Sequence, residues 1–86
     1  MLERVKKLID SKNVLELKKI IDELNENDLA ELLSDLSYDD LAKVFRIIPK
    51  DKAVAVFAEF DVVVATNLLR QLSESETVNL IDEMYA

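Results

Sequence analysis

Apolar side chains recur along this chain with a period of 12 residues. From residue 13 onward, the rows of 12 read NVLELKKIIDEL, NENDLAELLSDL, SYDDLAKVFRII, PKDKAVAVFAEF, DVVVATNLLRQL and SESETVNLIDEM. Positions 8, 9 and 12 are apolar in all six rows, and position 5 is apolar in five. Because side chains spaced i, i+3, i+4 and i+7 lie on one face of a helix, each row predicts one amphipathic helix. The first 12 residues, MLERVKKLIDSK, form a less regular leading row.

The first position of each row marks the start of a predicted helix. Five of the six side chains there are good N-caps, and the six residues are Asn13, Asn25, Ser37, Pro49, Asp61 and Ser73. The pairs Ser37–Asp40 and Ser73–Glu76 resemble capping boxes. One continuous helix fits poorly, because 12 residues make ~3.3 turns and the apolar stripe would rotate by about a third of a turn per row. The pattern therefore predicts six or seven short helices joined by tight turns.

Short helices are marginal alone because nucleation is costly, so each must bury its stripe against other helices. We expect an all-α fold, a right-handed superhelix of six to seven short helices in the 12-residue repeat, as one domain over residues 1–86. The chain has no glycine. We therefore expect Asn13 or Asn25 to supply a left-handed residue at some helix ends, and other helices to pass straight into the next cap.

Residues 53–65, AVAVFAEFDVVVA, are the most ambiguous segment. Valine and phenylalanine favour strands, so a β-strand is one alternative. The 12-residue alignment and the cap at Asp61 favour two helices, and apolar residues all round these helices suggest a central position. Residues 62–64, three valines, then stand at a helix N-terminus. We expect them to be buried under a neighbouring helix; the alternative is an exposed apolar patch for a partner.

Composition excludes several classes of function. The 86 residues include no cysteine and no histidine, which removes disulfides, thiolate zinc sites and the commonest general base. There is also no glycine for a phosphate-binding loop, so we do not expect an enzyme. The net charge of −7 is opposite to that of a nucleic-acid-binding surface. The longest apolar run, residues 53–58, is far shorter than the ~20 residues of a membrane span. Since no signal peptide is visible, we expect a cytosolic location.

Acidic residues concentrate in the rows that start at residues 25 and 73, each of which has four acids and no base. Asp28, Glu31 and Asp35 are spaced i, i+3 and i+7 and share one helical face, and Asp39 follows at the next helix start. Mg²⁺ prefers oxygen ligands and keeps several waters, so one or two carboxylates are enough to hold it. We therefore predict that Asp28, Glu31, Asp35 and Asp39 contact hydrated Mg²⁺. The alternative is that these acids only solvate the domain and favour the helix dipoles.

The leading row is basic, with Arg4, Lys6, Lys7 and Lys12. These cations either contact an anionic membrane surface or an acidic neighbouring domain, or form the solvated face of an amphipathic helix. Lys18 and Lys19 extend the basic end, so the domain has a positive start and a negative finish. This polarity favours head-to-tail self-association, though only weakly.

The rows also resemble a known family. The segments DLAELLSDL and DDLAKVFRIIPKDKAVAVFAEF, with helix restarts of the type LxxLxxLS, are similar to the N-terminal cytosolic domain of MgtE magnesium transporters. The resemblance extends from about Val14 to Met84, and six rows in phase, with Pro49-Lys50 at the fourth restart, are its most specific part.

This resemblance implies a regulatory role. In MgtE-like proteins a helical superhelix would precede a tandem CBS pair, a connecting helix and a membrane pore, and the whole protein would be a homodimer. Mg²⁺ would screen acidic surfaces between the N-terminal and CBS domains and hold a closed state, and loss of Mg²⁺ would separate them. The chain would then be a fragment of a longer membrane protein, at the cytosolic face of the membrane.

Two features keep an alternative open. Family members often have a glutamate in an AAEVL-like run, whereas the run here is AVAVF with Ala55 at the matching place. If that glutamate helps to hold an ion, the isolated chain would not bind Mg²⁺ tightly. The flagellar motor-switch protein FliG has similar short-helix rows, so the alternative function is a protein-interaction scaffold that needs no ion.

Overall fold

A computed structural model of the protein describes residues 1–85 and contains seven α-helices. The helices are α1 (Leu2–Asp10), α2 (Val14–Glu23), α3 (Glu26–Ser34), α4 (Tyr38–Phe45), α5 (Lys50–Glu59), α6 (Val62–Gln71) and α7 (Glu74–Met84). No strand occurs within residues 1–85. The prediction of an all-α fold built from short helices is confirmed, and the ambiguous segment 53–65 forms most of α5 and the start of α6 rather than a strand.

The helix starts follow the 12-residue repeat. Each of the five polar residues predicted as caps accepts a hydrogen bond from the backbone amide three residues later, at 2.8 to 3.3 Å. Pro49 occupies the cap position of α5 and makes no side-chain cap bond. Only Ser73–Glu76 forms a reciprocal capping box, with the Glu76 carboxylate accepting from the Ser73 amide at 3.0 Å. In the Ser37–Asp40 pair only the Ser37 side chain makes its bond, because the aspartate side chain is one methylene shorter than glutamate.

Four of the seven helices in the described residues, α1, α2, α5 and α6, end without glycine in one of two ways. After α1, Lys12 takes a left-handed conformation with φ of 57°, and the amide of Asn13 donates to the Leu8 carbonyl at 2.9 Å. This bond closes a Schellman-type turn. The prediction that asparagine would occupy such a position is wrong, since Asn13 and Asn25 have negative φ and cap the next helix instead. Three other helices end at a leucine or phenylalanine in extended conformation that leads directly into the next cap.

From α3 onward, helices that are two apart in sequence pack against each other. Helix α3 packs on α5, α4 on α6, and α5 on α7, while α1 packs on α2 and α4. The core contains the apolar stripes, and its most completely buried side chains include Leu33, Leu41, Val56 and Leu68. No polar or charged side chain in residues 1–85 is buried. This packing is consistent with a wound stack, and its right-handed sense stays a prediction.

Three phenylalanines pack the end of α4 against the C-terminal part of α5. Phe45, Phe57 and Phe60 contact one another with ring centroids 6.2 to 6.4 Å apart, in edge-on or tilted arrangements. Such pairs add about 0.5–1.5 kcal/mol each beyond the area that they bury. The cluster therefore ties the end of α4 to the C-terminal part of α5.

The three valines at the start of α6 do not share one environment. Val64 is buried, whereas Val62 and Val63 are 81% and 62% exposed. The expectation of burial is therefore wrong for two of the three, because α6 packs on α4 through its other face, which includes Leu68.

The longest helix has 11 residues, and none in the described chain combines the length and apolar content that crossing a bilayer requires.

Candidate functional site

The predicted acidic face lies on the outer side of α3. Asp28, Glu31 and Asp35 are all exposed, and they stand opposite the buried side chains of Leu29 and Leu33. Asp28 is in the first turn, where its amide donates to the Asn25 side chain at 2.8 Å, and Asp35 is the C-cap. None of the three acids forms an ion pair with another residue in the described range. The face therefore presents three uncompensated carboxylates to its surroundings.

The spacing of these carboxylates determines how they can bind a metal ion. A helix rises about 1.5 Å per residue, so the backbones of Asp28 and Asp35 are roughly 10 Å apart along the axis. Within residues 1–85, no group of three or more acidic side chains is close enough to hold a metal ion. The chain alone does not fit an inner-sphere site. It fits only a hydrated ion whose other contacts come from elsewhere, so the four predicted Mg²⁺ contacts stay a prediction.

The fourth predicted metal contact, Asp39, lies on the next helix and has a cation beside it. Its carboxylate pairs with Lys43 one turn later on α4, at 3.2 Å, and both side chains are more than half exposed. Exposed pairs of this kind contribute at most about 1 kcal/mol. Asp39 is therefore partly neutralised within the chain, in contrast to the three acids of α3.

Glu76, one of the four acids in the row that starts at residue 73, is held by Arg46. The guanidinium donates from Nε to Oε2 at 2.7 Å and from Nη2 to Oε1 at 3.2 Å, and also donates to the Gln71 carbonyl at 3.1 Å. The pKa of Glu76 is lowered to about 2. The bond to Arg46 is the largest cause, and the bond from the Ser73 amide is the next largest. The sequence did not predict this pair, because the two residues are 30 positions apart and helical spacing relates only residues within a few turns.

A cleft of about 330 Å³ opens beside this ion pair, between the end of α4, the start of α5 and α7. Its walls include the apolar side chains of Ile48, Val54 and Leu80, and Lys50 and Glu83 also line it. The cleft therefore combines an apolar lining with charged residues at its edge.

Lys52 connects α5 to the end of α2. Its ammonium donates to the carbonyls of Ile21 and Leu24 at 2.5 and 2.6 Å. These carbonyls belong to the last turn of α2, where backbone acceptors have no helical partner. The sequence gives one signal of this role. Position 4 is acidic in four of the six rows, whereas the row that starts with Pro49 has lysine there and no side-chain cap for an acid to complement.

Comparison with known families identifies the chain. The sequence profile described as the MgtE intracellular N domain matches residues 24–86, which include α3 to α7. The chain belongs to this family. The MgtE N domain is a regulatory domain of a transporter rather than a catalytic family. A search of curated proteins finds no match.

The two helices before the matched region pack with the MgtE N domain itself. Val5 and Ile9 of α1 are buried in the same core cluster as the side chains of α3 to α7, and α1 packs on α4. Lys52 of the matched region bonds to the end of α2. The basic first helix is therefore attached to the family domain through its apolar face.

Proposed function

We propose that this chain is the regulatory N domain of an MgtE-like magnesium transporter and that the outer face of α3 responds to Mg²⁺. In this proposal Asp28, Glu31 and Asp35, with Asp39 at the edge, face an acidic surface of a companion domain. The resemblance to MgtE makes a CBS pair of the same chain the expected companion. Residues 1–86 would act as one unit of a longer, homodimeric membrane protein, at the cytosolic face.

The observation that supports this role is the run of three exposed, unpaired carboxylates on α3 in a chain of the MgtE N family. Two acidic surfaces repel each other, and the repulsion is strongest when little salt or divalent ion is present. A hydrated Mg²⁺ between them supplies two positive charges while keeping its own waters, so it needs no closed cage of ligands. High Mg²⁺ therefore favours contact of the two domains, and low Mg²⁺ favours separation.

The spacing on α3 also predicts that the isolated chain binds Mg²⁺ weakly. A titration of the ¹⁵N-labelled chain, followed through its amide chemical shifts, measures this directly. We expect shifts centred on α3 that approach saturation only at several millimolar Mg²⁺ or above, since the second set of carboxylates is missing. The triple variant D28N/E31Q/D35N should lose these shifts.

A matched control separates a local effect from general screening. The variant D82N/E83Q removes two exposed acids from α7 and should leave the α3 shifts unchanged. An equal ionic strength of NaCl should not reproduce them. Saturation at micromolar Mg²⁺ would contradict the shared site, as would shifts that the triple variant retains.

A second candidate function is a helical-repeat interaction scaffold of the FliG kind, without an ion. The exposed Val62 and Val63 favour it, because side chains of this size at 81% and 62% exposure suit a protein contact. The native sequence downstream separates the two functions. A CBS pair followed by several membrane-spanning helices supports the transporter, whereas a further helical domain supports the scaffold.

A further inference from the structure

Two valines at the start of α6 are exposed because of their place in the repeat. Val62 and Val63 stand at positions 2 and 3 of their row, and they are 81% and 62% exposed. The residues at positions 2 and 3 are exposed in all six rows from residue 13 onward. This includes the row of α4, which packs against α1, α3 and α6. The outward direction of the two valines is therefore set by the repeat, whatever follows α7.

Tyr38 lies at the same end of the stack as the two valines. Helix α6 packs on α4, and the Arg46 guanidinium at the end of α4 donates to the carbonyl of Gln71, the last residue of α6, at 3.1 Å. Since the C-terminal ends of these packed helices meet, their first residues, Tyr38 and Val62, also share one end. The axes of packed helices are about 8–10 Å apart, so one short segment can cover both residues. Tyr38 is 38% exposed, and we refer to Tyr38, Val62 and Val63 as the α4–α6 edge.

The α4–α6 edge has an acidic border. Four acids lie within three residues of it in sequence, and they are Asp39, Asp40, Glu59 and Asp61. Among the described residues only Asp39 of these four forms an ion pair, with Lys43 at 3.2 Å. Arg70 is the single cation of α6 and lies near the opposite end of that helix. No ion pair in the described chain joins these acids to a cation of α1, which also packs on α4. The edge therefore combines an exposed apolar centre with a net negative border.

We propose that the α4–α6 edge binds a basic amphipathic segment of a partner protein. Apolar side chains of this segment cover Val62 and Val63, and a lysine or arginine lies against the ring of Tyr38 and the neighbouring carboxylates. The face of an aromatic ring attracts cations, and complementary charges select the partner.

Other occupants fit this edge poorly. A second copy carries the same net charge of −7, and symmetric pairing would bring Glu59 and Asp61 of two copies together. An acidic segment meets the same repulsion. The contact uses neither the carboxylates of α3 nor Mg²⁺, so it stands apart from the proposed function.

A synthetic amphipathic helix of leucine and lysine, about 14 residues or four turns long, serves as the probe. Titration into the ¹⁵N-labelled chain should shift the amides at the starts of α4 and α6. Two matched peptides separate charge from apolar contact, one with glutamate for every lysine and one with serine for every leucine. Each should bind about tenfold more weakly, or weaker still.

Paired variants of the chain test the apolar centre of the edge. V62S/V63S should weaken binding of the lysine peptide by about tenfold, because the contact with both valines is lost. The matched control is V14S/L15S, which changes positions 2 and 3 of α2, where the side chains are 41% and 76% exposed. It should bind like the original chain, and circular dichroism should show that both variants keep the helical fold.

A second pair of variants tests the border. E59Q/D61N removes two acids beside the valines and keeps a good cap for α6, since asparagine caps as well as aspartate. It should weaken binding by about threefold in low salt, and less in high salt, where exposed charges are screened. D82N/E83Q removes the same charge from α7 and should have a smaller effect.

Four results would overturn the proposal. Amide shifts away from the starts of α4 and α6 would do so, as would a V62S/V63S variant that binds like the original chain. Equal binding of the lysine and glutamate peptides would show that charge does not select the partner. Sedimentation of the chain without peptide supplies the last arm, since a dimer that V62S/V63S abolishes would assign the edge to a second copy instead.

Discussion

Arg46 and Glu76 form a two-point ion pair between the end of α4 and the first turn of α7, although they are 30 residues apart in sequence. The same guanidinium donates to the Gln71 carbonyl, and the same carboxylate accepts from the Ser73 amide. The pair thus links the turn between α6 and α7 to α4. Because α7 is the last helix of the described residues and packs mainly on α5, this link is a second attachment of α7.

Replacing Glu76 with glutamine should destabilise the protein modestly. Glutamine keeps the acceptor that completes the capping box with Ser73, so the substitution removes only the charged bond to Arg46. Both side chains are at least a third exposed, and solvent screening limits the loss to about 1 kcal/mol. Urea denaturation followed by circular dichroism measures it. Glu74→Gln, an acid of the same first turn without an ion pair among the described residues, should change stability much less.

The contribution of this pair should disappear in acid. The pKa of Glu76 is lowered from 4.5 to about 2, so the folded state binds the proton less readily than the unfolded state. Stability from the ionised carboxylate is therefore fully present above pH 4.5 and is lost as the pH falls toward 2. The stability difference between the original chain and Glu76→Gln should shrink across this window. A difference that stays constant with pH would assign the effect to packing rather than to charge.

The short-range features of this fold follow from the sequence, whereas the links between distant helices do not. The side-chain caps, such as Asn25 and Ser73, are local signals that recur in five of the six rows, and the apolar stripe recurs in all six. Arg46–Glu76 and the bonds of Lys52 depend on how the stack brings separate rows together. The exposure of Val62 shows the same limit, since composition does not reveal which side of α6 meets α4.

The candidate site divides in the same way. Helical spacing correctly places Asp28, Glu31 and Asp35 on one exposed face of α3. The same spacing places Lys43 four residues after Asp39, as an ion pair within α4, but it does not reveal that Arg46 engages Glu76.

Lys52→Met should loosen the end of α2. The substitution keeps much of the side chain's length but leaves the carbonyls of Ile21 and Leu24 without their ammonium donor. Hydrogen bonds to charged groups contribute about 1.5–3 kcal/mol, and water compensates part of the loss at this half-buried site. Hydrogen exchange should accelerate in the last turn of α2 more than in α7. Lys50→Met, in the same first turn of α5, is the control and should leave α2 unchanged.

Lys12→Gly should stabilise the protein by about 0.5–1 kcal/mol. Lys12 has φ of 57°, a conformation that costs an L-residue roughly 1 kcal/mol and glycine almost nothing. The gain is reduced because glycine also makes the unfolded chain more flexible. Thermal denaturation should show a higher midpoint. Lys6→Gly, the same exchange in the middle of α1, should lower the midpoint, because there glycine weakens a regular helix.

The most direct test of the proposed function measures the distance between α3 and its companion domain in the full-length protein. The described chain has no cysteine, so Asn27→Cys on the exposed surface of α3 can carry a spin label, with a second label on the companion domain. Electron–electron resonance should give a short, narrow distance distribution at high Mg²⁺ and a longer, broader one without it. The D28N/E31Q/D35N variant should keep the short distance even without Mg²⁺, because the repulsion has been removed. A distance that does not depend on Mg²⁺, or a triple variant that opens like the original protein, would contradict the account.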